Sequence, residues 1–194
     1  MKRFFNILLS WFIIAFLLIG LFYLYNVLNP KHYLYLGEDA PISTELHPIV
    51  EERKNILISE ARHIGIEVII TEEVRTMERQ QALYDQGRTS DGSIVTYAEA
   101  GESYHNYGLA IDYALENNHG ELIWNIEYDG NNNGKADWFE VADIAKQLGF
   151  TWGGDWTHFK DYSHLEMTFG LSIEQLKQGY RPKEEIKDVI GEPK

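Results

Sequence analysis

The chain has 194 residues, of which 44% are hydrophobic and 13% aromatic, so it can bury one ordinary core but hardly two independent ones. Its 30 acidic residues outnumber its 17 basic ones and give a formal net charge of −13, which disfavours nucleic acid and anionic lipid headgroups as partners. There is no cysteine, which excludes disulfides, thiol chemistry and cysteine acylation, and leaves nitrogen and oxygen ligands for any metal.

The N-terminal residues predict a membrane anchor. Phe4 to Tyr25 carry no charge and are rich in Phe, Leu and Ile. As a helix this run would extend over roughly 33 Å at about 1.5 Å per residue, enough for a hydrocarbon core of about 30 Å. Lys2 and Arg3 precede the run, so the N-terminus is expected in the cytoplasm and the rest of the chain outside the cell membrane. A cleaved signal peptide is the alternative, but no small-x-small cleavage pattern follows before Pro30.

The sequence divides into four parts. Residues 1–28 form the anchor, and residues 29–46 form a tether, because Asn-Pro, Gly-Glu-Asp and Ala-Pro are turn and breaker signals. Residues 47–180 form the folded domain, and residues 181–194 form a polar C-terminal tail. We expect a monomer with a single membrane pass.

The hydrophobic pattern of the folded domain mixes helices with short strands. Three amphipathic helices are predicted, each ended by a glycine: Pro48 to Gly65, Met77–Gln86 after the cap Thr76, and Val141–Leu148. Three short strands are predicted: Val68–Thr71, Leu122–Ile126 and His164–Met167. No regular βαβ order and no internal repeat is evident, so we predict an α+β fold preceded by one transmembrane helix.

Candidate metal ligands occur in two motifs that are far apart in the chain. His105 and Asp112 are separated by Gly108 and small or apolar residues, so they can converge from a loop and the strand that follows it. His164 is preceded three residues earlier by Asp161. Two histidines, one carboxylate and an open position for water form the ligand set of a catalytic zinc site, and a nearby unligated carboxylate could take the proton of that water. Spacing by itself is weak evidence, because single His and Asp residues are more often structural.

Together these motifs resemble the zinc peptidases of the D-alanyl-D-alanine carboxypeptidase and L-alanyl-D-glutamate endopeptidase group. The signature Ser-x-His-x-x-Gly-x-Ala-x-Asp, followed by an acidic-x-x-His element, is matched by Ser103–Asp112 and Asp161–His164. Arg75-Thr76, the run from Gln81 to Thr89 and the run from Trp152 to Trp156 add to the likeness. Gly-Gly-Asp-Trp followed by Phe-Lys-Asp-Tyr-x-His is similar to the endopeptidase branch, whereas the carboxypeptidase branch usually has Trp where Ser163 stands.

The resemblance implies a fold and a set of chemical roles. It implies a small antiparallel sheet flanked by helices, with zinc held by His105, Asp112 and His164. It also implies that Asp161 is the general base and that Arg75 stabilises the oxyanion formed when the scissile carbonyl is attacked. Asp161 is shorter than the Glu that is common at this place in the family, so its reach stays open.

Four further residues receive less specific roles. Ser103 and Gln81 are expected to contact the substrate, and Ser103 could instead support its loop. His158 is the alternative proton carrier. Glu166, two residues after His164 and on the same strand face, is a candidate partner for that metal ligand.

A second ion site is predicted at residues 129–140, which fit the pattern of an EF-hand calcium loop with Gly134 at the sharp turn. The candidate ligands are Asp129, Asn131, Asn133, Lys135, Asp137 and Glu140. A helix is predicted after the loop but a strand before it, so the loop would be EF-hand-like and unpaired. A turn rich in Asn and Gly is the alternative. Because the loop leads into the helix before Trp152, calcium could order the catalytic region.

The resemblance therefore implies a zinc-dependent peptidoglycan peptidase that hydrolyses stem peptides of the bacterial cell wall, with L-alanyl-D-glutamate endopeptidase as the favoured specificity. A D-alanyl-D-alanine carboxypeptidase is the alternative within the same class. An inactive calcium-binding or wall-binding anchor protein is the alternative from a different class. The expected partners are the stem peptide and, through the N-terminal helix, the membrane, with no nucleic acid.

Overall fold

The computed structural model describes residues 11–12, 14–24 and 32–184. The residues described before position 25 are helical, and their large apolar side chains, such as Trp11, Phe12 and Phe16, are exposed. The other residues of the predicted anchor lie outside the described part of the chain. Within the part that is described, no helix combines the length and the apolar character that a membrane crossing requires.

The rest of the described chain mixes helices with antiparallel strands, which confirms the predicted α+β class. The strands are β1 (Tyr33–Tyr35), β2 (Glu67–Glu72), β3 (Ala110–Glu116), β4 (Leu122–Ile123), β5 (Thr151–Trp152), β6 (His164–Glu166) and β7 (Tyr180–Pro182). The α-helices after residue 32 are α1 (Pro48–His63), α2 (Met77–Asp85), α3 (Asp137–Gln147) and α4 (Ile173–Lys177). Two 3-10 helices cover Tyr104–Tyr107 and Gly153–Asp155.

A five-stranded sheet organises the domain. Its main path runs β2-β3-β6-β5, and β4 pairs with the far end of β3. Every pairing in it is antiparallel, and β3 lies at the centre with fully buried side chains at Ile111 and Tyr113. Central β3 and its neighbour β6 therefore form the rigid platform on which side chains can be positioned.

The helices begin and end where local chemistry favours it. Pro48 starts α1, where a missing N–H costs nothing, and Gly65 follows that helix with a φ of +84°, a conformation that glycine adopts readily. The hydroxyl of Thr76 accepts a hydrogen bond from the backbone N–H of Arg79 and caps α2. These two predicted helices are confirmed to within two residues.

The main core lies between the sheet and the pair α1 and α3. Leu57 of α1, Trp138 of α3 and Leu165 of β6 are almost completely buried in one apolar cluster. A smaller cluster joins Tyr107 and Leu109 to the buried residues of the C-terminal region. Burial of this kind contributes about 25 cal/mol per Å² of apolar surface, so the core fixes how α3 and the strands sit against each other.

Part of the segment expected to be a tether forms a β-strand. Residues 33–35 form β1, which pairs with β7 in a separate two-stranded sheet, and the ring of Tyr33 meets that of Tyr180 edge to face at 5.7 Å. The sequence signals for β1 are weak because only three residues form it. Ordered structure in the domain therefore begins before residue 47 and includes the first residues of the predicted polar tail.

Two predicted elements have different bounds from those expected. Helix α3 begins at Asp137 and not at Val141, because Trp138 packs into the core and an acidic residue suits the first turn of a helix. Strand β4 ends at Ile123, since Asn125 accepts hydrogen bonds from the backbone N–H groups of Glu127 and Tyr128 and turns the chain.

Candidate metal centre and catalytic cleft

Two of the predicted zinc ligands lie on the two strands at the centre of the sheet. Asp112 of β3 and His164 of β6 are directly opposite each other in the antiparallel register, and residues paired in this way project to the same face. His105 lies on the 3-10 helix that precedes β3. Gly108 ends that helix with a φ of +68°, which turns the chain so that His105 faces the strand pair.

The three side chains converge on one point. His105 Nε2 lies 3.2 Å from Asp112 Oδ1 and 3.2 Å from His164 Nδ1, and His164 Nδ1 lies 3.1 Å from Asp112 Oδ1. Ligand atoms at about 2.0–2.1 Å from a tetrahedral zinc are about 3.4 Å apart, so this triangle has nearly the size of one face of a zinc tetrahedron. Among the described residues, this is the group of His, Asp and Glu side chains whose ligand atoms gather closely enough to hold a metal.

In both histidines the ring nitrogen that faces away from the centre, here called the outer nitrogen, lies within hydrogen-bond distance of an acceptor. His105 Nδ1 lies 2.6 Å from the carbonyl oxygen of Glu73, and His164 Nε2 lies 3.1 Å from a carboxylate oxygen of Glu166. A nitrogen that donates to such an acceptor leaves the other nitrogen of the ring with its lone pair free. Both rings can therefore direct a lone pair towards a metal ion, which would take the place of the ring protons that donate to Asp112 in its absence.

The electrostatics of the cluster favour an ionised carboxylate. Burial by itself would raise the pKa of Asp112, but hydrogen bonds from His105 and His164 outweigh it and hold that pKa well below its usual range. Burial would lower the pKa of His164, but its hydrogen bonds to Asp112 and Glu166 raise that pKa to about 9. The centre thus attracts positive charge, which suits a divalent cation.

Arg75 lies at the edge of this centre. Its guanidinium donates to Asp112 Oδ2 at 3.2 Å, to Glu72 Oε2 at 2.5 Å and to Gln80 Oε1 at 2.9 Å. Its backbone N–H also donates to the carbonyl oxygen of His105 at 3.1 Å. The side chain is only 10% exposed. Its charge is therefore fixed beside the candidate metal ligands, and Arg75 lines the same cleft.

The cleft has a volume of about 520 Å³ and is lined by most of the residues predicted for the zinc site and for catalysis. Ser103, Arg75 and Asp161 line it together with the three candidate metal ligands. The carboxylate of Asp161 accepts hydrogen bonds from the backbone N–H and the hydroxyl of Ser163, at 3.2 and 2.7 Å. Its orientation is therefore fixed by the residue next to the candidate metal ligand His164.

Of the residues given less specific roles, Ser103 lines the cleft, whereas Gln81 and His158 do not. Ser103 caps the 3-10 helix and accepts from the backbone N–H of His105 at 3.3 Å, so it supports the ligand loop as well as lining the cleft. Gln81 is not among the residues that line the cleft, and its amide instead bonds Asp85 and the N–H of Ala100. His158 is exposed and likewise absent from the lining.

Gln80, Glu72 and Glu73 were missed by sequence reasoning. Gln80 is completely buried and joins Arg75 to the carbonyl oxygen of Ala98. One residue along a helix turns a side chain by about 100°, which explains why Gln80 reaches the site and Gln81 does not. Glu72 is the last residue of β2 and Glu73 follows it, and this position at the end of a predicted strand was the available signal.

The predicted calcium loop forms a compact turn before α3. The carboxylate of Asp129 accepts from the backbone N–H groups of Asn133 and Gly134, and Glu140 accepts from the side-chain amides of Asn131 and Asn133. Asp137 is buried. Its carboxylate accepts from the N–H of Gly130. Among the described residues, the three carboxylates of the loop do not form a cluster as tight as the His-Asp-His group.

Comparisons with known proteins give the following matches. A family model described as D-alanyl-D-alanine carboxypeptidase matches residues 96–167, a span that contains all three candidate metal ligands and Asp161. The peptidoglycan L-alanyl-D-glutamate endopeptidase CwlK of Bacillus subtilis (strain 168) is 59% identical over 130 residues, covering 67% of this chain and 78% of that protein. The L-alanyl-D-glutamate peptidase of Listeria phage A118 is 32% identical over 105 residues, covering 54% of this chain and 32% of that protein. A solved structure, the L-Ala D-Glu endopeptidase ChiX of Serratia marcescens, is 24% identical with a TM-score of 0.45, over 64% of this chain and 81% of that one.

Proposed function

The chain belongs to peptidase family M15, whose matching model is described as D-alanyl-D-alanine carboxypeptidase, and we propose that it is a zinc-dependent endopeptidase that cuts the L-alanyl-D-glutamate bond of peptidoglycan stem peptides. One observation carries the specificity: 59% identity to the Bacillus subtilis enzyme of that activity, over 78% of its length. The triangle of His105, Asp112 and His164 supplies the machinery that such hydrolysis needs.

These residues fit zinc by their chemistry and spacing. Two imidazole nitrogens and one carboxylate oxygen are donors that zinc prefers, and their separations of 3.1 to 3.2 Å suit its radius. A zinc ion bound there would polarise the scissile carbonyl and make a water more acidic. Glu73 and Glu166, which hold the outer nitrogens, keep both rings in the orientation that this requires.

In this mechanism Asp161 transfers the proton and Arg75 stabilises the negative charge. Asp161 accepts a proton from the attacking water at a carboxylate oxygen and delivers it to the leaving amine nitrogen, which breaks the C–N bond. Arg75 provides a fixed positive charge for the oxyanion that develops on the scissile carbonyl, an effect of about 2.7–4 kcal/mol for a single donor in other hydrolases. Its ion pairs with Glu72 and Asp112 hold the guanidinium in place before the substrate arrives.

The test is product analysis on a defined substrate without sugar, an N-lactyl stem pentapeptide that begins with L-Ala-γ-D-Glu and ends with D-Ala-D-Ala. Mass spectrometry after incubation with the zinc-loaded protein should detect lactyl-L-alanine and a peptide with a new N-terminal D-glutamate. Release of free D-alanine with the L-alanyl-D-glutamate bond intact would instead establish the second candidate, a D-alanyl-D-alanine carboxypeptidase, which the description of the family model favours.

An inactive anchor protein is a less suitable reading of the same residues. Selection for wall binding alone does not require two histidines and an aspartate to converge within 4.8 Å, nor acceptors on the outer nitrogens of both rings. Absence of any cleavage by the zinc-loaded protein, on the lactyl peptide and on whole peptidoglycan, would favour that reading.

We also propose that the loop at residues 129–140 binds calcium. Besides the loop pattern, Asp137 supports it, because one oxygen of this buried carboxylate has no hydrogen-bond partner among the described residues. Burial, followed by the nearby charges of Glu140 and Asp129, raises the pKa of Asp137, and a cation would relieve both costs. Calcium should raise the melting temperature of the zinc-loaded protein and not that of Glu140→Gln. An unchanged melting temperature in the unsubstituted protein would contradict calcium binding at this loop.

Attachment to the cell membrane by one N-terminal helix is also proposed. The uncharged run Phe4–Tyr25 after Lys2 and Arg3 supports it, as do the exposed apolar side chains of the helical residues in that region. Protease added to intact cells should digest a C-terminal tag while the protein sediments with membranes. Recovery of a shortened protein in the medium would indicate a cleaved signal peptide instead.

A further inference from the structure

A second depression continues from the catalytic cleft. It has a volume of about 430 Å³ and shares three lining residues with the cleft: Val95, Phe159 and Asp161. Asp161 is the proposed general base, so the depression begins beside the reacting atoms. Nothing in the proposed mechanism uses the residues that lie further along it, among them Trp124 and Ile94.

Large apolar side chains are exposed around this depression. Trp124 is 58% exposed, and Ile94, Val95 and Phe159 are between 43% and 46% exposed. Such side chains are usually scattered singly over a surface, and a group of them beside a cleft is typical of a binding site. The indole N–H of Trp138, which also lines the depression, is buried with no hydrogen-bond partner among the described residues.

Most of the charged side chains of the site line the catalytic cleft and not the depression. Glu72, Arg75 and Glu102 line the catalytic cleft and are absent from the lining of the depression. In the depression the one cation is Lys160, whose ammonium is held by the carbonyl oxygen of Gly154 at 2.6 Å. The site therefore has a region that is rich in charged side chains and a neighbouring region with exposed aromatic and aliphatic side chains, and Asp161 lines both.

The substrate has the same division. On the D-glutamate side of the scissile bond, the stem peptide carries a free α-carboxylate and a diamino acid, which are charged. On the L-alanine side, one residue leads to the lactyl group of an N-acetylated aminosugar, which is neutral in this linkage. With a chain reach of about 3.5 Å per residue, the sugar must begin within about 7–10 Å of the bond that is cut.

We propose that this depression, with Trp124 as its aromatic wall, binds the N-acetylmuramyl sugar that carries the stem peptide, and this inference rests on the proposed endopeptidase function. The apolar face of a sugar ring packs against an indole, whose amphipathic character suits a ligand that is apolar on one face and hydroxylated at its edges. The protein then prefers stem peptides that are still attached to the glycan strand over peptides already released from it.

The test compares two substrates that differ only in the sugar: the lactyl stem peptide and the same peptide on the N-acetylglucosaminyl-N-acetylmuramyl disaccharide. Trp124→Ala should lower kcat/KM about tenfold for the disaccharide substrate, mainly through KM, and leave the lactyl peptide unchanged. Trp124→Phe keeps an aromatic face and should recover most of the loss. Tyr35→Ala, a control at an aromatic side chain 59% exposed on β1 in the separate two-stranded sheet, should change neither substrate.

Equal losses on the two substrates, or no loss on either, would overturn the proposal. A binding measurement separates it from the endopeptidase function: the free disaccharide should change the tryptophan fluorescence of the unsubstituted protein saturably, and this change should disappear in Trp124→Ala. Saturable binding without hydrolysis of either substrate would count against the endopeptidase and not against the sugar site. Absence of a saturable change would count against the sugar site itself.

Discussion

At the scale of single residues, the centre requires three acceptor atoms to face one another away from water. His105 is 1% exposed and His164 is 9% exposed, so neither ring can turn outward to find other partners without disturbing the core. The lone pairs that meet at the centre repel one another unless a cation or a proton lies between them. Burial therefore raises the free energy of the site without a ligand and favours the binding of a cation.

His164→Ala should remove zinc and hydrolysis together, because two remaining ligands do not form the three-ligand set of a catalytic zinc site. We expect less than about 0.1 equivalent of zinc in the purified variant by elemental analysis, and a loss of at least about a thousandfold in kcat/KM. His63→Ala is the matched control, since that ring is 72% exposed, and it should retain both. Hydrolysis that survived in His164→Ala would exclude this centre as the site of reaction.

Arg75→Ala should lower kcat by about a hundredfold to a thousandfold with zinc content unchanged, because the guanidinium acts on charge that develops during the reaction. Arg79→Ala is the control: this side chain is 59% exposed and forms an ion pair with Glu72 at 3.8 Å, so the kcat of this variant should stay within about a factor of two. Steady-state kinetics combined with metal analysis checks both. Loss of zinc in Arg75→Ala would show that Arg75 positions Asp112 and has no separate effect on the oxyanion.

The sequence predicted that His105, Asp112 and His164 lie together, as they do in the structure, but it did not predict the groups that support them. His105, Asp112 and His164 belong to a motif with fixed spacing, so one resemblance indicates all three. Gln80 and the carbonyl oxygen of Glu73 have no such motif, because their contacts with Arg75 and His105 depend on how α2 and β2 meet the ligand loop. A backbone carbonyl in particular carries no residue preference that a sequence can reveal.

At the scale of elements, the turn at Gly108 connects the histidine loop to the central strand. Its carbonyl oxygen accepts from the N–H of His47 at 2.9 Å, and a Cβ at this position would collide with the carbonyl oxygen of Glu45. The positive φ of Gly108 and this close approach both require glycine. The turn therefore attaches the segment before α1 to the metal centre.

Gly108→Ala should lower the free energy of unfolding by about 2–5 kcal/mol, from a strained φ of about 1–2 kcal/mol and a backbone collision of about 1–3 kcal/mol. Gly170→Ala is the control, since Gly170 also has a positive φ of +76° but nothing within 4 Å of the added carbon, and it should cost about 1 kcal/mol. Urea denaturation measures both. Equal losses in the two variants would show that the contact with Glu45 does not constrain this turn.

Elements with strong local signals were predictable, and those that depend on partners were not. Helices α1 and α2 have a proline start, a threonine cap and glycine stops, all of which act within a few residues. Strand β1 has only three residues and is defined by its pairing with β7, about 145 residues further along the chain. The predicted start of α3 was wrong because residues 137–140 also fit the calcium-loop pattern, whereas in the structure Trp138 packs in the core as part of the helix.

At the scale of the whole molecule, the metal centre joins parts of the chain that are far apart. The 3-10 helix, β3 and β6 each supply one candidate ligand, and Arg75 extends the network to the start of α2. A ligand that binds only the folded state stabilises it by mass action. The centre is therefore expected to contribute to the stability of the domain as well as to catalysis.

Zinc at a hundred times its dissociation constant should add about 2.7 kcal/mol of stability, which corresponds to a rise of about 5–10 °C in the melting temperature of a domain of this size. Differential scanning calorimetry of the metal-free and zinc-loaded protein measures this rise. His164→Ala should show no rise with zinc. A rise of the same size in that variant would indicate that zinc acts at a different place.

Titration of the metal-free protein with zinc, followed by hydrolysis of the lactyl stem peptide, tests the central claim most directly. Activity should be absent at the start, increase linearly and reach its maximum at one equivalent of zinc, with lactyl-L-alanine as the product throughout. Full activity without metal, or no activity at any amount of zinc, would contradict a hydrolytic centre formed by His105, Asp112 and His164.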